Sequence, residues 1–158
     1  MERKSLSDIL GDFVAFRNLE PADKRLKGLA AVQAEVGLPA GHIPRKVEPD
    51  YAAVVAHLLR QAQALRGAGR PLEQLIYIGD TRGSDGSAAR HLGQQLELRA
   101  FIGEDKLQEP PQTEVQGAFT FANRWSALGD WVRSLEAQGF ALDASLAYAR
   151  QRKQFGKA

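Results

Sequence analysis

The chain has 158 residues, 44% hydrophobic and 25% charged, which is the composition of a globular protein with a core of its own. Its 21 Lys and Arg residues nearly balance its 19 Asp and Glu residues, so its charge gives no support for a nucleic-acid partner. The absence of cysteine excludes disulfides and thiolate metal sites. No apolar run is long enough for a membrane span, and no signal peptide is indicated, so we expect a cytoplasmic protein with no membrane partner.

Two helices are predicted in the first part of the chain. Apolar residues at helical spacing predict a helix over residues 21–36, ended by Gly37 and Pro39. A longer apolar stripe predicts a second helix over residues 50–66, ended by Gly67. His57 lies off this stripe, so we expect it to be solvated rather than catalytic.

A short apolar strand over residues 75–78 then runs into two aspartates, Asp80 and Asp85. A helix over 87–95 and a second strand over 96–102 follow, and this alternation predicts a parallel sheet in an α/β fold, with the first strand covered on both faces. Two carboxylates at the end of such a strand provide the oxygen ligands that Mg2+ requires, at the sheet edge where ligands usually bind. The same aspartates are also typical of turn and N-cap hydrogen bonds, and the sequence leaves both interpretations open.

One family resemblance covers roughly residues 44–103. The order Lys46-x-x-Pro49, a long helix, and then Leu-Ile-Tyr-Ile-Gly-Asp80-Thr-x-x-x-Asp85-Gly-x-Ala-Ala resembles the metal-binding second half of the haloacid dehalogenase-like hydrolases. The resemblance implies a Rossmann-like doubly wound parallel sheet, with Mg2+ held by Asp80 and Asp85. It also implies that Lys46 steadies the substrate phosphate and the nucleophilic carboxylate. We expect Thr81 and Ser84 to donate hydrogen bonds to the substrate nearby.

The nucleophile motif of that family, Asp-x-Asp-x-Thr at the end of a strand, is not found before Lys46. Asp8 and Asp12 stand four residues apart and precede an apolar run instead of following one. The nearest match, Phe140-Ala-Leu-Asp143-Ala-Ser145-Leu, has alanine at the nucleophile position and comes after the metal motif. The sequence therefore predicts a Mg2+-dependent phosphohydrolase-like domain for a small phosphorylated substrate, inactive alone. The alternative is a non-catalytic structural or partner-binding domain that retains the fold.

The last part of the chain is less regular. Residues 104–116 contain Pro110 and Pro111 and are predicted to form a linker or loop. Residues 119–123 form either a last strand or the lead into a helix that ends near residue 138 and buries Trp125 and Trp131. We expect a single α/β domain over residues 1–140, with its motif-bearing core at about 44–103.

Residues 141–158 are expected to form a C-terminal helix or a truncated extension. The segment Tyr148-Ala-x-x-Arg152-x-Gln154-Phe155-Gly is similar to a helix end of the acyl-CoA dehydrogenases, in which the arginine, the glutamine and the phenylalanine approach FAD across a subunit interface. Because the similarity is confined to this short segment, chance or a joined or truncated reading frame explains it better than flavin binding. We expect the chain to be part of a longer protein.

Overall fold

The computed structural model describes residues 14–66, 71–140 and 147–149 of the chain. In chain order the elements are β1 (Val14–Phe16), α1 (Leu29–Val36), α2 (Pro49–Arg66), β2 (Gln74–Gly79), α3 (Ser84–Gly93), β3 (Glu97–Gly103), β4 (Thr113–Gln116), β5 (Phe119–Ala122), α4 (Ala127–Ala137) and β6 (Ala147–Ala149). The described residues divide into two compact units. Residues 14–43, 57–66, 71 and 147–149 belong to the first unit, and residues 44–56 and 72–140 belong to the second.

In the first unit, helix α1 begins at Leu29, eight residues after the predicted start. The carboxylate of Asp23 accepts hydrogen bonds from the backbone N–H and the guanidinium of Arg25, and such local bonds compete with the helical ladder. Gly28 has an extended backbone, and the carboxylate of Glu20 accepts the N–H of Leu29 at 3.1 Å, which caps the first turn. The prediction of a helix from residue 21 was therefore wrong. Strands β1 and β6 form a two-stranded parallel sheet in the same unit.

The second unit is built on an open four-stranded sheet with the order β2, β3, β5, β4. Strands β2, β3 and β5 are parallel, and β4 is antiparallel to β5. Helix α3 connects β2 to β3, as parallel neighbours require a crossover. This mostly parallel sheet with its helices confirms the predicted α/β class and is compatible with a Rossmann-like arrangement.

The two helices of this unit that follow β2 pack on opposite faces of the sheet. Ala89 of α3 packs with Leu98 and Ala100 of β3, which point to one face. Phe101 points to the other face, where its ring lies 5.6 Å from that of Trp131 in α4. The ring centroid of Trp125 lies 6.0 Å from that of the same phenylalanine, but Trp125 precedes α4 and is 37% exposed, so the prediction that the helix buries it was wrong.

Two details of this sheet differ from the sequence predictions. Strand β2 is parallel as expected, but it lies at the sheet edge, and 45% of Ile78 is exposed, so the prediction of cover on both faces was wrong. The predicted loop over 104–116 contains the short edge strand β4, and all of its residues are exposed. Among the described helices, none combines the length and the apolar character needed to cross a bilayer.

Sequence predictions for the chain ends fall mainly outside the described residues. Asp8, Asp12 and Asp143 lie there, and so does most of the segment that is similar to the acyl-CoA dehydrogenases. Residues 147–149 within that segment are extended in β6. The single domain over 1–140 stays a prediction.

Candidate functional site

The carboxylate of Asp85 is the centre of a polar cluster at the carboxyl end of β2. The residue lies in the first turn of α3 and is only 1% exposed. Its Oδ1 accepts hydrogen bonds from Lys46 Nζ at 2.7 Å and from the Tyr77 hydroxyl at 2.8 Å. Its Oδ2 accepts the backbone N–H groups of Asp80 and Thr81, each at 3.0 Å. Four donors therefore occupy the four acceptor positions that an ionised carboxylate offers.

The loop between β2 and α3 has the residue types that this close arrangement requires. The backbone N–H of Asp85 donates to the carbonyl of Thr81 at 2.9 Å, which closes the loop beneath the carboxylate. A Cβ atom at Gly79 would lie 2.4 Å from Asp85 Cβ, well inside van der Waals contact. Only glycine at residue 79 leaves room for Asp85 to reach the loop amides.

Lys46 reaches the cluster from the turn that precedes α2. The backbone N–H of Glu48 donates to the carbonyl of Arg45 at 2.9 Å, and helix α2 begins directly afterwards at Pro49. The side chain of Lys46 is 27% exposed, whereas the side chain of Asp85 is 2% exposed. Lys46 is therefore the more exposed partner of the ion pair at the end of β2.

The protonation state of Asp85 follows from two opposing effects. Burial raises the pKa of its carboxyl group, but the hydrogen bonds from the Lys46 ammonium and the Tyr77 hydroxyl, with the charge of Lys46, outweigh burial. The net effect lowers the pKa of Asp85 from its ordinary value. The carboxylate is therefore ionised at neutral pH, and its contact with Lys46 is a true ion pair.

Asp80 presents the second carboxylate of the cluster, and its residue is exposed. Its Oδ1 accepts the hydroxyl of Thr81 at 3.1 Å, while its backbone N–H is bound to Asp85. Thr81 is also exposed, and Ser84 is half-buried as the first residue of α3. The carboxylate of Asp80 is thus the acid of the pair that solvent or a ligand can reach.

The next strand ends beside this loop and helps to hold it. Glu104 follows β3, and its carboxylate accepts the backbone N–H of Arg82 at 3.0 Å and contacts Lys106 at 3.2 Å. Burial raises the pKa of Glu104, but these two donors outweigh burial and lower it. The guanidinium of Arg82 lies 4.0 Å above the ring of Phe121 in β5. The loop after β2 is therefore attached to β3 and β5 as well as to α3.

The side chains of this cluster provide few free oxygen ligands for Mg2+. In the part of the chain that the structure describes, no group of three or more His, Asp or Glu residues could hold an ion by itself. Mg2+ in phosphate sites usually binds through one or two carboxylates and completes its shell with water and substrate oxygens. The exposed carboxylate of Asp80 suits that role. Direct ligation by Asp85 stays a prediction, and it would require one of the four donors on this carboxylate to give way.

No protein-family model, curated protein or solved structure matches the chain. The resemblance to the haloacid dehalogenase-like hydrolases therefore stays an expectation from the sequence motifs. The structure brings Lys46 into contact with Asp85 and places Asp80 in the same loop, but it does not assign a role to them.

Sequence reasoning missed two residues of the cluster, Tyr77 and Gly79. Both lie on the same face of β2, because alternate residues of a strand point the same way. The following helix returns to that face, so a tyrosine and a glycine two residues apart just before Asp80 were a usable signal. Tyr77 was predicted only as one residue of a short apolar strand.

Proposed function

We propose that the chain carries the phosphate-binding and Mg2+-binding part of a phosphohydrolase that resembles the haloacid dehalogenase-like hydrolases, on a Rossmann-like doubly wound sheet. One observation carries the proposal: at the carboxyl end of β2, Lys46 is paired with the buried Asp85 while the carboxylate of Asp80 is exposed in the same loop. Ligands of open α/β sheets usually bind at this end of the strands.

The roles of the side chains follow from their charge and exposure. Lys46, oriented by Asp85, holds an oxygen of the substrate phosphate. Asp80 holds Mg2+ together with water and phosphate oxygens, and the ion, when bound, neutralises part of the phosphate charge. Thr81 and Ser84 lie in the same loop and donate hydrogen bonds to the remaining phosphate oxygens. Asp85 acts mainly as the fixed counter-charge of Lys46.

A binding experiment tests this proposal. Ligands that bind only the folded state stabilise it by about 2.7 kcal/mol when present at roughly a hundred times their dissociation constant. Millimolar Mg2+ with inorganic phosphate should therefore raise the melting temperature of the wild-type chain, and Asp80→Asn should abolish the Mg2+ effect. Glu97→Gln is the matched control, because Glu97 is an exposed acid at the opposite end of the sheet. An unchanged melting temperature of the wild-type chain would contradict the proposal.

The chain alone is expected to be a poor phosphatase. An aspartyl-phosphate route needs an aligned carboxylate nucleophile, and without it only slower direct attack by water remains. A panel of phosphomonoesters with Mg2+ should therefore give little turnover. Turnover of about 1 per second or faster, lost in Asp80→Ala, would show that the chain contains its nucleophile. Asp8, Asp12 and Asp143 would then be the first acids to replace.

The second candidate function is a non-catalytic domain that keeps the motif for packing and binds a partner. It is favoured by the complete satisfaction of Asp85 within the protein, since four donors stabilise this carboxylate without any ligand. A folded wild-type chain that binds neither Mg2+ nor phosphate would support this function over the first.

A further inference from the structure

Tyr77 has a feature that core packing does not require. Its ring packs with Leu75 against Ala89, Leu98 and Ala100 under helix α3. A phenylalanine ring would fill that space equally well. The hydroxyl of Tyr77 instead extends past the apolar cluster and donates to Asp85 Oδ1 at 2.8 Å.

The position of this hydroxyl matters because Asp85 Oδ1 is also the oxygen that Lys46 binds. The torsion that rotates an aspartate carboxylate is broad, with no sharp staggered minima. The loop amides of Asp80 and Thr81 hold only Oδ2. The hydroxyl of Tyr77 holds the other oxygen, Oδ1, so the carboxylate is held on both of its oxygens by groups with little freedom to move.

Lys46 is poorly suited to hold Oδ1 rigidly. Its ammonium group stands on a flexible four-carbon stem, and 27% of the side chain is exposed. The hydroxyl of Tyr77 stands on a rigid ring, and that ring is fixed in the cluster under α3. Tyr77 therefore supports Oδ1, the oxygen that binds the ammonium of Lys46, from a rigid ring.

We propose that Tyr77 is a positioning residue of this site, which holds Asp85 Oδ1 so that the ammonium of Lys46 is fixed in place for an incoming phosphate group. The phosphate step rests on the proposed function, whereas the ordering of Lys46 by Tyr77 does not. The residue acts through Asp85 and does not touch the ligand.

Tyr77→Phe is the test, because it keeps the ring and removes only the hydroxyl. Two measurements are made on the full chain: the 15N-resolved ammonium resonance of Lys46, which is observed when the group is held in an ordered ion pair, and the dissociation constant for inorganic phosphate in the presence of Mg2+. Tyr77→Phe should broaden or remove the ammonium resonance and weaken phosphate binding by about tenfold, the effect of a 1.4 kcal/mol change in binding free energy.

Leu75→Ala is the matched control. Leu75 lies on the same face of β2 and packs on the same cluster, but it has no polar group. This variant should lower the melting temperature and leave both the Lys46 resonance and the phosphate affinity unchanged. If the two variants weaken the resonance equally, the effect comes from lost packing, and the proposal is overturned.

The outcomes separate the two proposals. An unchanged Lys46 resonance in Tyr77→Phe overturns the positioning role, whatever the phosphate result. A wild-type chain that binds no phosphate would contradict the proposed function. The Lys46 ammonium resonance in Tyr77→Phe would still decide whether Tyr77 orders Lys46. If the resonance is lost but phosphate affinity is unchanged, Tyr77 orders Lys46 without serving the ligand, and the phosphate step is wrong.

Discussion

Replacing Lys46 by methionine should show how strongly the buried charge of Asp85 depends on its partner. Methionine keeps much of the stem and removes the ammonium group, so the carboxylate remains buried without its counter-charge. Removing one partner of a buried ion pair costs about 3–5 kcal/mol. Here the Lys46 side chain is 27% exposed and three other donors stay on Asp85. We therefore expect a loss at or just below the lower limit of this range, about 2–3 kcal/mol of unfolding free energy.

Thermal and urea unfolding measure this loss. For a chain of this size, each kcal/mol corresponds to about 2–4 °C, so the melting temperature should fall by roughly 4–12 °C. Lys106→Met is the matched control, since Lys106 is 49% exposed in its pair with Glu104. Such surface pairs contribute about 0–1 kcal/mol, so the control should change the stability little.

The acid side of the stability curve gives an independent check. Because the folded-state pKa of Asp85 is lowered, its contribution to stability is present above the unfolded pKa of about 3.9 and is lost as the pH falls through the folded pKa. A protonated Asp85 no longer needs a counter-charge. The difference between the wild-type chain and Lys46→Met should thus be largest at neutral pH and shrink in acid. A difference that is constant across this range, or additivity of Lys46→Met with Asp85→Asn, would refute the reasoning.

Two further substitutions test the loops that surround the site. Gly79→Ala should cost about 1–3 kcal/mol in chemical denaturation, because the added Cβ would overlap Asp85, whereas Gly83→Ala meets open space and should change stability by less than about 0.5 kcal/mol. Equal effects of the two would disprove the close approach at Gly79. Asn123→Ala should cost about 1–3 kcal/mol, because its side chain bridges the carbonyl of Pro110 and the N–H of Gln112, each at 2.7 Å. The same variant should speed proteolysis of residues 104–112, and an unchanged cleavage rate would count against this bridge.

Elements with a strong periodic pattern were predictable. Helix α2 carries an apolar stripe over several turns, and β2, α3 and β3 follow the alternation of a parallel unit, so these elements were predicted to within a few residues. Strand β4 was missed because all four of its residues are exposed, which leaves no alternation to detect. The predicted start of α1 was wrong because the first turn is capped from outside the helix. The N–H of Leu29 donates to the carboxylate of Glu20, nine residues earlier in the chain.

The site was predictable in its charged residues and not in its detailed contacts. The spacing of Lys46, Asp80 and Asp85 placed them together through a family resemblance. The different roles proposed for the two acids, counter-charge of Lys46 for Asp85 and Mg2+ ligand for Asp80, depend on burial. Asp85 is buried and surrounded by four donors, whereas Asp80 is exposed. Burial of a polar residue depends on tertiary packing, so no one-dimensional pattern distinguishes these two aspartates.

Residues 107–112, in the segment between β3 and β4, are held mainly through their main chain. The guanidinium of Arg124 donates to the carbonyls of Lys106, Leu107 and Glu109, and Asn123 binds the backbone on either side of Pro111. Every residue type has the same main-chain carbonyl group, so these contacts do not depend on which side chains the segment carries. Related proteins could therefore vary its sequence freely and present different surfaces at this edge of the sheet. An insertion or deletion, by contrast, would move the carbonyls out of reach, so the length of the segment is what selection would preserve.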